Sequence, residues 1–94
     1  MTPERELLDQ LSNTSLPYFI IERLIFGGDR HHALNTIVAL VREGKLRITQ
    51  AGTDVPIWKA QQWASNINDP ATVAALGAAT VDITGAGLDD YLQN

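Results

Sequence analysis

The stretch IVALVREGKLRI, residues 37–48, changes its hydrophobic period at a glycine. Before Gly44 the apolar residues recur at the three- and four-residue spacing of a helix. After it, residues 45–49 alternate polar and apolar side chains as a half-buried strand does. Glycine readily adopts the left-handed backbone conformation that ends many helices. The stretch therefore predicts an amphipathic helix that closes at Gly44 and leads directly into a strand.

This helix extends back to Asp29, whose carboxylate can accept hydrogen bonds from free N–H groups at a helix start, so we expect it over residues 30–43. A rotation of about 100° per residue divides its side chains into an apolar and a polar side. The apolar side holds Ala33, Leu34, Ile37, Val38, Leu40 and Val41, and the polar side holds His31, His32, Asn35, Thr36, Ala39, Arg42 and Glu43.

Two shorter helices are predicted before it. Thr2, Pro3 and Glu4 suit a helix start, and three leucines follow at helical spacing, at positions 7, 8 and 11. Pro17 then opens an almost wholly apolar segment, residues 18–26, which Gly27 and Gly28 stop. We expect one core that joins Phe19, Ile20 and Leu24 of this segment to Leu34, Ile37, Val38 and Val41.

The strand after Gly44 is predicted to form a hairpin. Residues 50–54 have the composition of a turn with Gly52 near its tip, and residues 55–59 are expected to return as an antiparallel partner of residues 45–49. Proline cannot donate a ladder hydrogen bond, so Pro56 indicates an edge strand.

The C-terminal third gives weaker signals. Trp63 and Ile67 indicate helical structure in residues 60–68, and Asp69 with Pro70 is a cap for a helix over residues 71–79, which Gly77 weakens. Residues 80–83 alternate like a short strand, and Thr84 is expected to cap a last helix. The sequence leaves open whether residues 60–79 elaborate the hairpin or form separate helices.

Length and composition predict one soluble α+β domain over residues 1–94, in which residues 60–94 form an acidic extension packed on residues 1–59. The 94 residues are 45% hydrophobic and 19% charged, which is ordinary for a packed domain of this size. The absence of cysteine excludes disulfides and thiolate chemistry. A charged N-terminus and short apolar runs favour a cytoplasmic protein without a membrane segment.

Charge is distributed unevenly along the chain. The formal net charge is −4, which disfavours nonspecific binding to polyanions. Residues 30–59 nevertheless carry five cations against two acids, whereas residues 60–94 carry four aspartates and no lysine or arginine. A basic middle is therefore joined to an acidic C-terminal part.

The predicted order of three helices and a hairpin, carried by IVALVREGKLRI, resembles a winged-helix domain over residues 4–59. A second stretch, ITGAGLDDYL at residues 83–92, is similar to the strand-to-helix step that ends the wing in many bacterial winged-helix regulators. In those regulators the step soon follows the first wing strand, whereas here residues 50–80 intervene. Either the wing is elaborated or the likeness is accidental.

The winged-helix resemblance implies a non-enzymatic transcription regulator that binds double-stranded DNA. Its third helix would enter the major groove and its wing would contact phosphates. On this sequence the implied contacts are Arg30, His31, His32, Asn35, Thr36 and Arg42 on the helix, and Lys45, Arg47 and Lys59 on the wing. The alternative interpretation is that this polar face is simply solvated, since Ala39 and Glu43 leave it poor in donors.

A second hypothesis is a protein-interaction or dimerisation module on the same scaffold that does not bind DNA. Its expected contact residues are the two tryptophans and the apolar residues of the last helix: Trp58, Trp63, Leu88, Tyr91 and Leu92. A winged helix that binds palindromic DNA is normally dimeric, so a homodimer is expected under both hypotheses.

No motif indicates a cofactor, a metal or catalysis. His31 and His32 are adjacent, so they diverge by about 100° on a helix and cannot share an ion without other ligands. Asp89 and Asp90 have no nucleophile or oxyanion donor at a recognisable spacing. Gly27 and Gly28 lack the spacing and lysine of a phosphate loop. We therefore expect no enzymatic activity.

Overall fold

Six helices and one four-stranded antiparallel sheet form from residues 2–93, the part of the chain that this computed structural model describes. The protein is therefore of the α+β class, as the sequence predicts. The elements are α1 (Pro3–Leu11), β1 (Leu16–Pro17), α2 (Tyr18–Leu24), α3 (Arg30–Arg42), β2 (Leu46–Gln50), β3 (Thr53–Asp54), α4 (Ile57–Ser65), α5 (Pro70–Gly77), β4 (Ala79–Ile83) and α6 (Gly85–Gln93).

The predicted capping residues hold the start of α1 and both ends of α3. The Thr2 hydroxyl accepts a hydrogen bond from the Arg5 N–H at 3.2 Å, and the Asp29 carboxylate accepts one from the His32 N–H at 3.0 Å. Gly44, at φ +79°, takes the left-handed conformation that closes α3. The three predicted N-terminal helices are thus confirmed, with α3 ending one residue earlier than expected.

The sheet has the strand order β1-β4-β2-β3. The long partner of β2 is β4, which pairs with it from Leu46↔Ile83 to Gln50↔Ala79. The predicted strand at residues 80–83 is therefore confirmed. The two-residue β1, which the sequence analysis did not predict, pairs with β4 through Leu16↔Val81 and Pro17↔Thr80.

The prediction that residues 55–59 form a strand opposite residues 45–49 is wrong. The strand that returns from the turn is only β3, and Val55 adds one further hydrogen bond from its N–H to the Ile48 carbonyl at 2.8 Å. Pro56 then occupies the N-cap of α4 instead of an edge-strand position. Residues 57, 60, 63, 64 and 67 are apolar at helical spacing, so a helix buries more apolar surface here than a strand would. Ala60 and Trp63 of this helix, and Ile67 just after it, are buried in the core.

The hydrophobic core contains Leu34, Ile37 and Val38 as predicted, with Phe19 and Val41 partly buried against it. Leu24 was expected there and is 72% exposed, so that part of the prediction is wrong. The inward residues of α2 are Tyr18, Ile21 and Glu22, and this rotation of the helix turns Leu24 outward and leaves Ile20 half-buried.

The residue between β4 and α6, Thr84, is hydrogen-bonded to the backbone just after α3. The Thr84 hydroxyl donates to the Gly44 carbonyl at 2.6 Å and accepts from the Gly87 N–H at 3.0 Å. The Thr84 N–H donates to the Lys45 carbonyl at 2.9 Å. A side chain on Gly87 would place its Cβ against the Lys45 carbonyl oxygen, closer than these two atoms can approach. Thr84 thus caps α6 as predicted, and Gly87 allows the backbones to meet.

Candidate interaction surfaces

Arg30, the first predicted DNA contact, is half-buried and paired within the molecule. Its Nε lies 2.9 Å from Glu22 Oε1, its Nη1 donates to the Ile67 carbonyl at 3.4 Å, and its guanidinium lies 5.4 Å from the centre of the Phe19 ring. The Tyr18 hydroxyl donates to the same Glu22 oxygen at 2.8 Å. Burial, followed by this hydrogen bond, raises the pKa of Tyr18 far above its usual range. The network joins α2 to α3 and to the loop after α4, and it pairs the Arg30 charge within the chain.

The cations of the hairpin are also paired with the chain's own acids. Lys45 Nζ lies 3.0 Å from Glu43 and 3.3 Å from Asp90, and hydrogen bonds to these two carboxylates raise the pKa of Lys45. Arg47 lies 3.5 Å from Asp82 and 3.9 Å from Asp54. Two of these acids, Asp82 and Asp90, come from the C-terminal part, and the other two lie at the end of α3 and in the hairpin, so the basic middle and the acidic extension pair with each other here.

A polar stripe on α3 remains open to solvent. His31, Asn35 and Arg42 are exposed on it, and Arg42 has no ion pair with any residue from 2 to 93. Thr36 is half-buried, and His32 is exposed with its ring edge-to-face on Phe26 at 4.9 Å. The stripe therefore presents an imidazole and an amide one turn apart, and a cation two turns beyond the amide, past Ala39.

The two tryptophans of α4 have opposite environments. Trp63 is 5% exposed and lies in the core, whereas Trp58 is 63% exposed. Trp58 precedes the buried Ala60 by two residues, which places it about 200° around the helix, on the outward side. Of the two predicted contact residues on this helix, only Trp58 presents its ring to solvent.

An open groove of about 410 Å³ runs between α4 and α5. Lys59, Gln62, Asn66 and Asp69 give it polar walls, and Trp63 and Thr72 form part of its lining. Lys59 is half-buried at this groove rather than on a wing strand, because residue 59 belongs to α4.

Tyr91 of the last helix contacts α1 of the same molecule. The Tyr91 hydroxyl donates a hydrogen bond to the Asp9 carboxylate of α1, and this bond raises the pKa of Tyr91. Arg5 lies over the Tyr91 ring at 4.4 Å and donates to its carbonyl at 3.2 Å. Leu88 is half-buried and Leu92 is 70% exposed. Among the predicted contact residues of α6, Leu92 alone is largely free of the rest of the protein.

No known protein family, curated protein or solved structure matches this chain. Within residues 2–93, no cluster of three or more histidine, cysteine or acidic side chains would hold a metal ion. None of the helices in this part of the chain has the length and apolar character needed to cross a membrane.

A third surface was missed by the sequence analysis. A groove of about 130 Å³ between α1 and α2 is lined by Leu16, Ile20, Leu24 and Ile25 together with Glu6 and Gln10. The four-residue spacing of positions 16, 20 and 24 was the available signal. The sequence instead predicts that Ile20 and Leu24 lie in the core, because an apolar helix stripe usually faces inward.

Proposed function

We propose that this protein is a non-enzymatic protein-interaction domain built on a winged-helix scaffold whose wing is elaborated by α4 and α5. The topology supports the scaffold. β1 lies between α1 and α2, α3 leads into β2, and β2 pairs along its whole length with β4, while α4 and α5 are inserted between these two strands. The hydrogen bonds of Thr84 at the end of β4 fit the strand-to-helix step that the sequence resembles.

The observation that carries the proposal is the internal pairing of the cations on the expected DNA surface. Arg30, Lys45 and Arg47 all lie within 4 Å of carboxylates of the same chain. DNA binding draws its affinity largely from unpaired cations that replace counterions on phosphates. A chain with a net charge of −4 that also neutralises its hairpin is better suited to a protein partner than to a polyanion.

Trp58 supplies the contact side chain for such a partner. Its ring is exposed on the outward side of a helix whose inward side is fixed in the core by Ala60 and Trp63. Tryptophan is enriched among the residues that dominate binding energy at protein interfaces, because it buries a large rigid surface. An exposed tryptophan on a helix that is packed in the core therefore supports an anchor role.

The test is photo-crosslinking in cells of the source organism, with a photoreactive amino acid in place of Trp58. A matched probe at Leu92, which is similarly exposed on α6, reports background contacts. The crosslinked protein is identified by mass spectrometry, and its purified form is titrated against wild type and against Trp58→Ala. We expect one specific partner at position 58 and at least about tenfold weaker binding by Trp58→Ala, which corresponds to about 1.4 kcal/mol. Identical crosslinks at both positions would contradict the proposal.

DNA binding is the second candidate, because Arg42, Asn35 and His31 are exposed along one face of α3. Arginine and asparagine are the side chains that most often read base edges in the major groove. The distinguishing experiment is a titration with mixed-sequence duplex DNA over a range of salt concentrations. Affinity that falls steeply with salt and is weakened by Arg42→Ala would favour this candidate over the protein-interaction domain.

A further inference from the structure

The groove between α4 and α5 has a lysine at one end and an aspartate at the other. Lys59 lies in the first turn of α4, and Asp69 follows that helix, where its N–H donates to the Asn66 carbonyl at 3.0 Å. Positions 59 and 66 lie two turns apart, so the two ends of the groove are about 10 Å apart. Neither Lys59 nor Asp69 forms an ion pair with any other residue between 2 and 93. The groove therefore has an available base and an available acid at opposite ends.

A hydroxyl in the lining of this groove has no hydrogen-bond partner. Thr72 of α5 is only 6% exposed, and its hydroxyl makes no hydrogen bond with residues 2–93. Its oxygen is not enclosed by the protein, so the hydroxyl opens into the groove. Buried polar side chains in proteins are nearly always hydrogen-bonded, and leaving one unpaired costs free energy. A ligand with a polar group at this point supplies the missing partner.

The α4 wall of the groove carries two amides between the charged ends. Gln62 and Asn66 are exposed there one turn apart. Asn66 Nδ2 donates to the Gln62 carbonyl at 2.9 Å, which holds this side chain in place and leaves its Oδ1 as an acceptor. Side-chain amides match the N–H and C=O groups of a peptide backbone, because each offers a donor and an acceptor. On the α5 side, the small Ala71 and Ala75 leave room for a chain.

We infer that this groove binds a tripeptide in extended conformation, with its C-terminal carboxylate at Lys59 and its N-terminal ammonium at Asp69. An extended chain rises about 3.3 Å per residue, so the charged ends of a tripeptide match the distance between the two side chains. The amine and carboxylate of a single amino acid are too close together to reach both. The groove volume of about 410 Å³ lies within the range of small-ligand sites. Trp58 does not line the groove, so this site is separate from the partner contact proposed above.

The charges of the protein favour a ligand that carries both signs. The net charge of −4 opposes the approach of a simple anion to Lys59. A simple cation at Asp69 would leave Lys59 without a partner at the other end. A zwitterionic peptide has no net charge and contacts both residues at once.

Titration of the ¹⁵N-labelled full chain with trialanine tests the site, at about pH 6.5, where both peptide termini are ionised. We expect saturable shifts of backbone amides in residues 59–75 and a dissociation constant of about 1 mM or below. N-acetyl-trialanine and trialanine amide each lack one terminal charge and should bind at least about threefold more weakly. Dialanine should also bind more weakly, because it is too short to reach both ends.

Three variants assign the contacts. Lys59→Gln should no longer distinguish trialanine from its amide, and Asp69→Asn, which keeps a helix-capping side chain, should no longer distinguish it from the N-acetyl form. Thr72→Val should weaken binding without lowering stability in urea denaturation, because its hydroxyl has no partner within residues 2–93. Arg42→Gln removes an exposed, unpaired cation from α3 and is the matched control, which should bind like wild type.

The inference is overturned by the absence of saturable shifts up to about 50 mM trialanine. Equal binding of trialanine and both blocked peptides would also overturn it, as would shifts confined to residues outside α4 and α5. The same holds if Lys59→Gln still prefers trialanine to its amide, or if all three variants bind like wild type. None of these results alters the crosslinking outcome at Trp58.

Discussion

At the scale of single residues, the junction of α3, β2 and α6 depends on Thr84, the cap that the sequence predicts, and on Gly87. The Thr84 hydroxyl donates a hydrogen bond to the Gly44 carbonyl and accepts one from the Gly87 N–H. Gly87 is buried, and the absence of a side chain there lets α6 approach the Lys45 carbonyl. The sequence can indicate that a glycine is needed at this position, but not which atom approaches it, since Lys45 lies 42 positions away in the chain.

Gly87→Ala should therefore destabilise the protein by about 1–3 kcal/mol, because the new Cβ meets a backbone oxygen that cannot move away easily. Gly85→Ala is the matched control in the same helix, where a Cβ meets no atom within 4 Å. It should leave stability unchanged or raise it by up to about 1 kcal/mol through better helix propensity. Urea denaturation measures both variants, and equal effects would contradict the close approach.

The turn between β2 and β3 contains the one non-glycine residue between 2 and 93 with a positive φ, Ala51 at φ +51°, followed by Gly52 at φ +80°. Two positive φ values in a two-residue loop are the pattern of a type I′ hairpin turn, which favours asparagine or glycine at the first position. Ala51→Asn should raise the free energy of unfolding by about 0.5–1 kcal/mol. Ala39→Asn, on the exposed side of α3, should instead lower it by a few tenths of a kcal/mol, and thermal denaturation distinguishes the two signs.

At the scale of elements, the sequence predicts α1, α2, α3, β2, α5, β4 and α6 because each has a cap, a stop residue or a clear period of its own. It fails at residues 55–59, where two rules conflict. A short β-rich run after a turn predicts a strand, but a proline also suits a helix start. The apolar repeat that decides between them continues to Ile67, beyond the segment that was assigned to the hairpin. Tertiary contact of α4 with α3 then stabilises the helix.

The two tryptophans of α4 give a direct test of this assignment, because a helix turns them in different directions. Trp63→Ala should destabilise the protein by about 3–5 kcal/mol through loss of a buried aromatic side chain. Trp58→Ala should change stability by no more than about 0.5 kcal/mol, since its ring is exposed. Similar losses in urea denaturation for both variants would contradict the helix.

The packing of α6 on α1 depends on the neutral form of Tyr91, whose hydroxyl donates to Asp9. This hydrogen bond raises the pKa of Tyr91 above its value in the unfolded chain, which is about 10. Its stabilising effect is therefore complete below about pH 10 and is lost as the pH rises through the higher pKa of the folded protein. The difference in unfolding free energy between wild type and Tyr91→Phe should accordingly shrink from about pH 8 to about pH 11. A difference that does not change over this range would contradict the hydrogen bond.

At the scale of the whole molecule, the candidate site is the least predictable part of the chain. The sequence reveals a basic segment and an acidic segment, but their pairing depends on the β2–β4 register, which sets Arg47 opposite Asp82. Likewise, the exposure of Leu24 and Trp58 follows from how α2 and α4 are rotated on the core, which local periodicity did not determine. The sequence therefore indicates a basic DNA-binding face, whereas the structure pairs its cations with acids and leaves apolar side chains as the candidate contact residues.

If the ion pairs of Arg47 with Asp54 and Asp82 prevent the hairpin from binding DNA, then removing these two acids should produce DNA binding. Asp54→Asn with Asp82→Asn frees Arg47 and removes two negative charges from a chain whose net charge is −4. Anisotropy titrations with duplex DNA should show weak, nearly salt-insensitive association for wild type. For the double variant they should show tighter binding whose dependence on log salt is steeper by about one, the effect of one added phosphate contact.

The control for net charge alone is Asp69→Asn with Asp89→Asn, which removes the same number of charges where no ion pair with a lysine or arginine of residues 2–93 is present. Adding Arg47→Ala to the Asp54→Asn, Asp82→Asn variant should return both affinity and salt dependence to those of the control. If wild type already binds DNA with a steep salt dependence that Arg47→Ala reduces, the ion pairs do not prevent phosphate contact. In that case the winged-helix scaffold is a DNA-binding domain, and Trp58 requires another explanation.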